Sequence, residues 1–386
     1  METNQIIQDP NIWAGLNRPG IAVEEADVVI FGIPYDGAVQ FRSGARNAPK
    51  ALREITYTIS PTTEDLECFS DLKVLDLGDV DCSDHDSFFR QVEDITCNCV
   101  EKGKFFIMIG GDHSTTIPVH RGVDRGLNED FGIIHIDAHF DLCHTQNGNL
   151  LSHASTERRA IELDHVEGID SVFFVGIRSL ELDEVDFYKE NPVNVLTSKK
   201  IRAIGWEESA RQIVEKMSKR KHVYVTLDID SLDPGYAAGT GTPQFGGMEP
   251  RELLNILGYI FEKLPVVGMD VVEVAPDLDP GLCSLFAARK IVTESMGHWY
   301  RKNKGFSKSK PAAKKEGEGT PSPSFWRSQL ERDGERRQSG CGRHQDRGNL
   351  PCGDHYKIIL FFAARALFCV THDKSGKLNI AKRKGF

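Results

Sequence analysis

Eight short runs dense in Val, Ile, Leu and Phe punctuate the first three hundred residues, at 27–31, 73–77, 105–109, 132–136, 171–175, 193–196, 223–227 and 266–272. Most are continuously apolar and do not alternate, which marks strands buried on both faces. Between them, apolar positions recur at helical spacing over 48–55, 85–101, 207–220 and 250–263. Alternating strands and helices predict an α/β fold, a three-layer αβα sandwich around a mostly parallel sheet of about eight strands. One domain is expected over 26–302, after an N-terminal extension at 1–25.

The pattern breaks near residue 302. Residues 302–324 are rich in Lys, Gly, Ser and Pro, and 329–353 are polar and poor in aliphatics. Such stretches bury too little apolar surface to offset their ordering entropy. A basic, low-complexity, disordered tail is therefore expected over 303–386, with a short helix at 356–370. Charge divides at the same place. Residues 301–386 carry 20 Lys and Arg against 8 Asp and Glu, whereas residues 1–300 carry 27 against 49. An acidic body suits a cationic small molecule, and the tail reads as an extension with no nucleic-acid partner. The nine cysteines include no Cys-x-x-Cys pair, which speaks against a zinc ribbon or a disulfide framework. The start of the chain has neither a basic segment nor an apolar signal core, and no apolar run is long enough to span a bilayer. A cytoplasmic protein without membrane contact is expected.

Candidate chemistry gathers at four strand ends, where open α/β sheets bind ligands. The run 105–109 leads into Gly110-Gly111-Asp112-His113-Ser114. Its glycines allow a sharp turn that presents His113, although a histidine there could equally fill a turn. The run 132–136 leads into Asp137-Ala138-His139-Phe140-Asp141. On an extended backbone, residues 137, 139 and 141 project to one side. Two carboxylates and an imidazole after a buried strand need a purpose that offsets their desolvation. The run 223–227 leads into Asp228-Ile229-Asp230-Ser231-Leu232-Asp233-Pro234, in which Asp233 reads as a turn residue. In the last run Glu273 follows an apolar strand, and Asp270, three positions earlier, faces the other way. Two His and four Asp suffice for two divalent ions with shared carboxylates, and Mn²⁺, Zn²⁺, Fe²⁺ or Ni²⁺ would accept such ligands. The absence of thiolate favours a harder ion such as Mn²⁺.

At these residues the chain resembles the ureohydrolase family of arginases and agmatinases. The Gly-Gly-Asp-His-Ser, Asp-Ala-His-x-Asp and Asp-x-Asp-Ser-Leu-Asp-Pro motifs stand in the family's order, and the likeness extends over about residues 20–302. It implies an arginase-like fold, a homo-oligomer (trimer or hexamer) and two Mn²⁺ ions, or Ni²⁺. It further implies that His113, Asp137, Asp141 and Asp228 hold one ion. Asp137, His139, Asp228 and Asp230 would hold the other. Glu273 would face the substrate guanidinium, His153 would shuttle protons, and Asp141 would assist the leaving amine.

A charge count agrees. Four aspartates balance two divalent ions, and a hydroxide balances a guanidinium, which leaves Glu273 as the one excess anion to orient the cation. The implied reaction is hydrolysis of a small guanidino compound to urea and an amine. The spacing of 142–151 before Ser152-His153-Ala154 looks agmatinase-like, so agmatine, giving putrescine, is the first expectation. Guanidinobutyrate, guanidinopropionate and guanidine are alternatives. So are formiminoglutamase chemistry, a single-zinc deacetylase-like enzyme, which would lack the His113 motif, and a non-catalytic partner protein.

Overall fold

The computed structural model describes residues 3–306 and three strands between residues 359 and 382. The chain forms two compact units, 1–308 and 309–386. In the first, eight strands build one sheet: β1 Val28–Gly32, β2 Val74–Asp79, β3 Phe105–Ile109, β4 Phe131–Ile136, β5 Val172–Ile177, β6 Asn194–Thr197, β7 His222–Leu227 and β8 Val266–Val271. Their order is β2-β1-β3-β8-β7-β4-β5-β6, and every pairing is parallel. All eight sequence-predicted strands are present, within a residue or two of their expected bounds.

Each central strand feeds two cores. Phe105, Ile107 and Ile109 of β3 pack on one face of the sheet with the helices Pro250–Lys263 and Cys283–Asn303. Phe106 and Met108 pack on the other with the helices His85–Glu101 and Thr116–Leu127. Period-two alternation between two buried faces accounts for the unbroken apolar runs. The predicted helices 48–55, 85–101 and 250–263 match, and the one expected at 207–220 spans Trp206–Met217.

The second unit holds β9 Ile359–Ala363, β10 Ala366–His372 and β11 Leu378–Lys382 in an antiparallel sheet ordered β11-β10-β9. The helix expected at 356–370 is thus corrected to strand over its described part. A short apolar run does not by itself distinguish helix from strand, and Ile, Phe and Val favour the latter. The expectation of disorder over 303–386 falls largely on residues outside those described.

Candidate metal centre

The backbone ladder of the sheet continues past the strand ends and carries the candidate ligands. Asp137 N donates to Val175 O at 2.9 Å, Asp228 N to Ile136 O at 2.9 Å, and Glu273 N to Gly111 O at 2.8 Å. The four strands that lead into the candidate residues, β3, β8, β7 and β4, are neighbours in the sheet. Residues scattered over 160 positions, from His113 to Glu273, therefore meet at one edge.

His113 opens a short 3-10 turn capped by Asp112, whose carboxylate accepts from Ser114 N at 3.0 Å and Ala38 N at 2.8 Å. Burial first, and then the charge of Glu273, push the Asp112 carboxyl up to about 7. The His113 Nδ1 atom lies 2.9 Å from Asp137 Oδ2, 3.1 Å from Asp141 Oδ2 and 3.5 Å from Asp228 Oδ2. Opposite, His139 Nδ1 lies 3.4 Å from Asp137 Oδ1 and 3.2 Å from Asp230 Oδ2. Asp137 thus stands between the two imidazoles. His153 Nδ1 lies 3.1 Å from Glu273 Oε1, which also accepts from His113 N at 3.0 Å. Every sequence-predicted site residue belongs to this cluster.

One detail differs from the sequence reading. The segment after β4 is not extended throughout, because Asp141 has φ of 53°. The chain turns there, and the Asp141 carbonyl accepts from Glu157 N at 3.0 Å and Arg158 N at 3.1 Å. The turn, and no simple alternation, brings the Asp141 side chain toward His113. Glu273 is likewise left-handed, with φ of 59°. Such strained backbone concentrates at functional sites. Asp233 is a turn residue as expected, its carboxylate accepting from Gly235 N, Gly246 N and Gly247 N.

The donor set fits metal ions. His113 Nδ1, Asp137 Oδ2 and Asp230 Oδ2 are buried, and their close contacts with one another and with His139 lack hydrogen-bond geometry. Unsatisfied polar atoms this deep are costly unless something else binds them. Three ligand atoms from Asp137, His139 and Asp230 lie within 4.8 Å of one another. Burial, with mutual repulsion between carboxylates, raises Asp228 well above the usual range and also raises Asp230. Divalent cations relieve that repulsion.

Several contributors carry roles that the sequence did not assign. His135 is fully buried, its Nδ1 lying 3.1 Å from Glu157 Oε1 and its Nε2 3.1 Å from the His139 carbonyl. Both nitrogens are thus engaged, which makes His135 a support and not a ligand. The Arg178 guanidinium donates to the carbonyls of Ser231, Leu232 and Gln244, bracing the loop beyond Asp230. Arg42 donates to Thr240 O at 2.9 Å and Gly241 O at 3.3 Å, tying two loops together. A cavity of about 230 Å³ opens onto the cluster, with Gln40, Gln146, Glu181, Glu184 and Gln244 among its lining residues. Glu184 is pushed up to about 7, mainly by burial, against amides of Leu142 and Glu181 that favour its charge.

Comparison with known proteins agrees with this architecture. The family model described as Arginase family matches residues 26–297. An agmatinase of Bacillus subtilis is 35% identical over 277 residues, which is 71% of this chain and 92% of that protein. The solved proclavaminate amidino hydrolase of Streptomyces clavuligerus is 30% identical, with a TM-score of 0.69 over 77% of this chain and 99% of its own. The agmatine ureohydrolase of Thermoplasma volcanium is 28% identical, with a TM-score of 0.66 over 78% of this chain and 100% of its own. Fold and matches together define a hydrolase acting on the C–N bonds of amidines. The chain belongs to the arginase family, as one of its ureohydrolases. No helix among the described residues is long and apolar enough to cross a membrane.

Proposed function

We propose that this ureohydrolase cleaves agmatine to putrescine and urea at a centre built for two manganese ions, with Ni²⁺ as the other candidate metal. His113 and Asp141 would serve one ion, His139 and Asp230 the other, with Asp137 and Asp228 shared. Bound divalent ions supply charge to balance the carboxylates and make water nucleophilic at neutral pH. Glu273 would orient the guanidinium. One of its oxygens is engaged by His113 N and His153, leaving the other for the cation. His153 would move protons between the site and solvent. Burial disfavours its charge, but the Glu273 carboxylate outweighs that and pushes it up to about 9. Asp141, in contact with His113, would assist the leaving amine.

The cavity lining is the observation that carries the substrate assignment. Among the described lining residues are two glutamates and three glutamines, and no Lys or Arg. Exposed Glu181, with buried Glu184 behind it, suits a distal ammonium. A guanidino acid such as guanidinobutyrate would meet like charge, which is destabilising. An assay of urea release from agmatine, guanidinobutyrate, guanidinopropionate, arginine and guanidine, run separately with Mn²⁺ and Ni²⁺, tests this. Agmatine should give the highest kcat/KM, and preference for an acidic substrate would overturn the assignment. A parallel formamide assay with formiminoglutamate addresses the other C–N hydrolase reading. Asp137→Asn should bind less than one equivalent of metal and lose turnover, and retention of both would refute the shared-ligand role. We also propose a cytoplasmic homo-oligomer of three or six copies, which light scattering on purified protein and cell fractionation would check.

A further inference from the structure

Beneath the candidate centre lies a polar chain that the proposed chemistry does not use. Asp270, on β8, is fully buried and surrounded by donors. Its Oδ1 accepts from Thr226 Oγ1 at 2.8 Å and Leu227 N at 3.1 Å. Its Oδ2 accepts from Tyr224 Oη at 2.7 Å and Thr116 Oγ1 at 2.9 Å. A carboxylate offers about four lone-pair sites, so this one is filled. On its other side, the Thr226 hydroxyl lies 2.9 Å from His113 Nε2.

We infer that Asp270, acting through the Thr226 hydroxyl, selects the tautomer of His113 that leaves Nδ1 open to bind a metal ion. A threonine hydroxyl has one hydrogen. Donated to the acceptor-only carboxylate, it leaves Oγ1 able only to accept from His113. Nε2 must then carry the imidazole proton. Nδ1 keeps its lone pair and aims it at the space shared with Asp137, Asp141 and Asp228. The opposite tautomer would place an N–H among those carboxylates, where it would pair with them and block ligation. Thr226 and Asp270 are positioning residues, and neither reaches the cavity. Thr226 lies two positions before Asp228 on one strand direction, so the ligand and the group that orients its partner imidazole are encoded together.

The inference rests on the metal-centre reading, and the test separates the two. Manganese binding is measured by equilibrium dialysis against graded free Mn²⁺, together with thermal unfolding of the metal-free protein, for wild type, Thr226→Val and Thr226→Ser. Valine keeps the shape and removes the hydroxyl, and serine restores it. Wild type should bind two equivalents. Thr226→Val should lose affinity for one equivalent by roughly 10- to 100-fold, the usual effect of losing such a support. Thr226→Ser should regain most of it. Wild-type affinity at both sites in Thr226→Val overturns the inference while leaving the metal centre standing. A loss in Thr226→Val that serine does not restore also overturns it, since packing would then be the cause. Absence of manganese from wild type overturns the underlying reading.

Discussion

Asp141 and Glu273 both hold left-handed backbone, a conformation that costs non-glycine residues about 1–3 kcal/mol. Both present a carboxylate to the candidate centre, whereas the same conformation at Trp13, Ala14, Leu66, Asn128, Asn147 and Leu282 serves no candidate site residue. Glu184 supports a pH prediction. Its carboxyl, pushed up to about 7 by burial and by the charges of Asp141 and Glu181, ionises as pH rises through that value. A distal ammonium is held better by the ionised form. The KM for agmatine should therefore fall between pH 6 and 8, and Glu184→Gln should flatten that dependence; steady-state kinetics across that range will check it. The candidate ligands were legible as a set, because two His and four Asp gathered after buried strands must offset their desolvation. Thr226 and Asp270 were not. A threonine in a strand reads as β-propensity, and a single aspartate gives no hint of four donors converging on it from two elements. His135 and Glu157 were hidden for the same reason, since their partnership crosses 22 positions.

Among elements, the strands were the easiest to read. The helix Cys283–Asn303 was not anticipated, and its burial explains why. Residues Ile291 through Gly297 are all buried, so no polar stripe marks a helical period. Gly297 sits against Thr63 and Phe69, where a methyl group would collide. The helix Ala48–Ile55 anchors the sheet edge by a different device. Arg53, fully buried, bonds Asp76 of β2 through Nε at 2.7 Å and Nη2 at 2.9 Å, and also contacts Asp79. Trp13 Nε1 donates to the same Asp76 at 2.7 Å. Replacing Arg53 with Ala strands a buried carboxylate. We predict a loss of about 3–5 kcal/mol, read from urea denaturation of the metal-free protein. The tail strands were misread as a helix because 356–370 is apolar without clear periodicity.

On the scale of the whole molecule, the charge division near residue 302 and the end of the family match at 297 fall close together. The candidate ligands, the cavity and both cores all lie before that boundary. A chain ending at residue 306 should keep metal stoichiometry and urea release within about twofold of the full chain. Parallel metal analysis and kinetics on the two proteins measure this, and a large loss would give the remaining segment a part in catalysis.

The order of strands in the sheet carries a temporal consequence. His113 and Asp137 follow β3 and β4, which are consecutive in the chain yet lie apart, and the wedge between them is filled only when β7 and β8 insert. Non-local pairings of this kind are slow to form. A refolding chain can acquire helices and much of its sheet before the last two strands dock, but the candidate metal site is incomplete until they do. Metal uptake should therefore follow the slowest refolding phase, trailing the recovery of helical signal, and the ion would serve as a timer for completed topology.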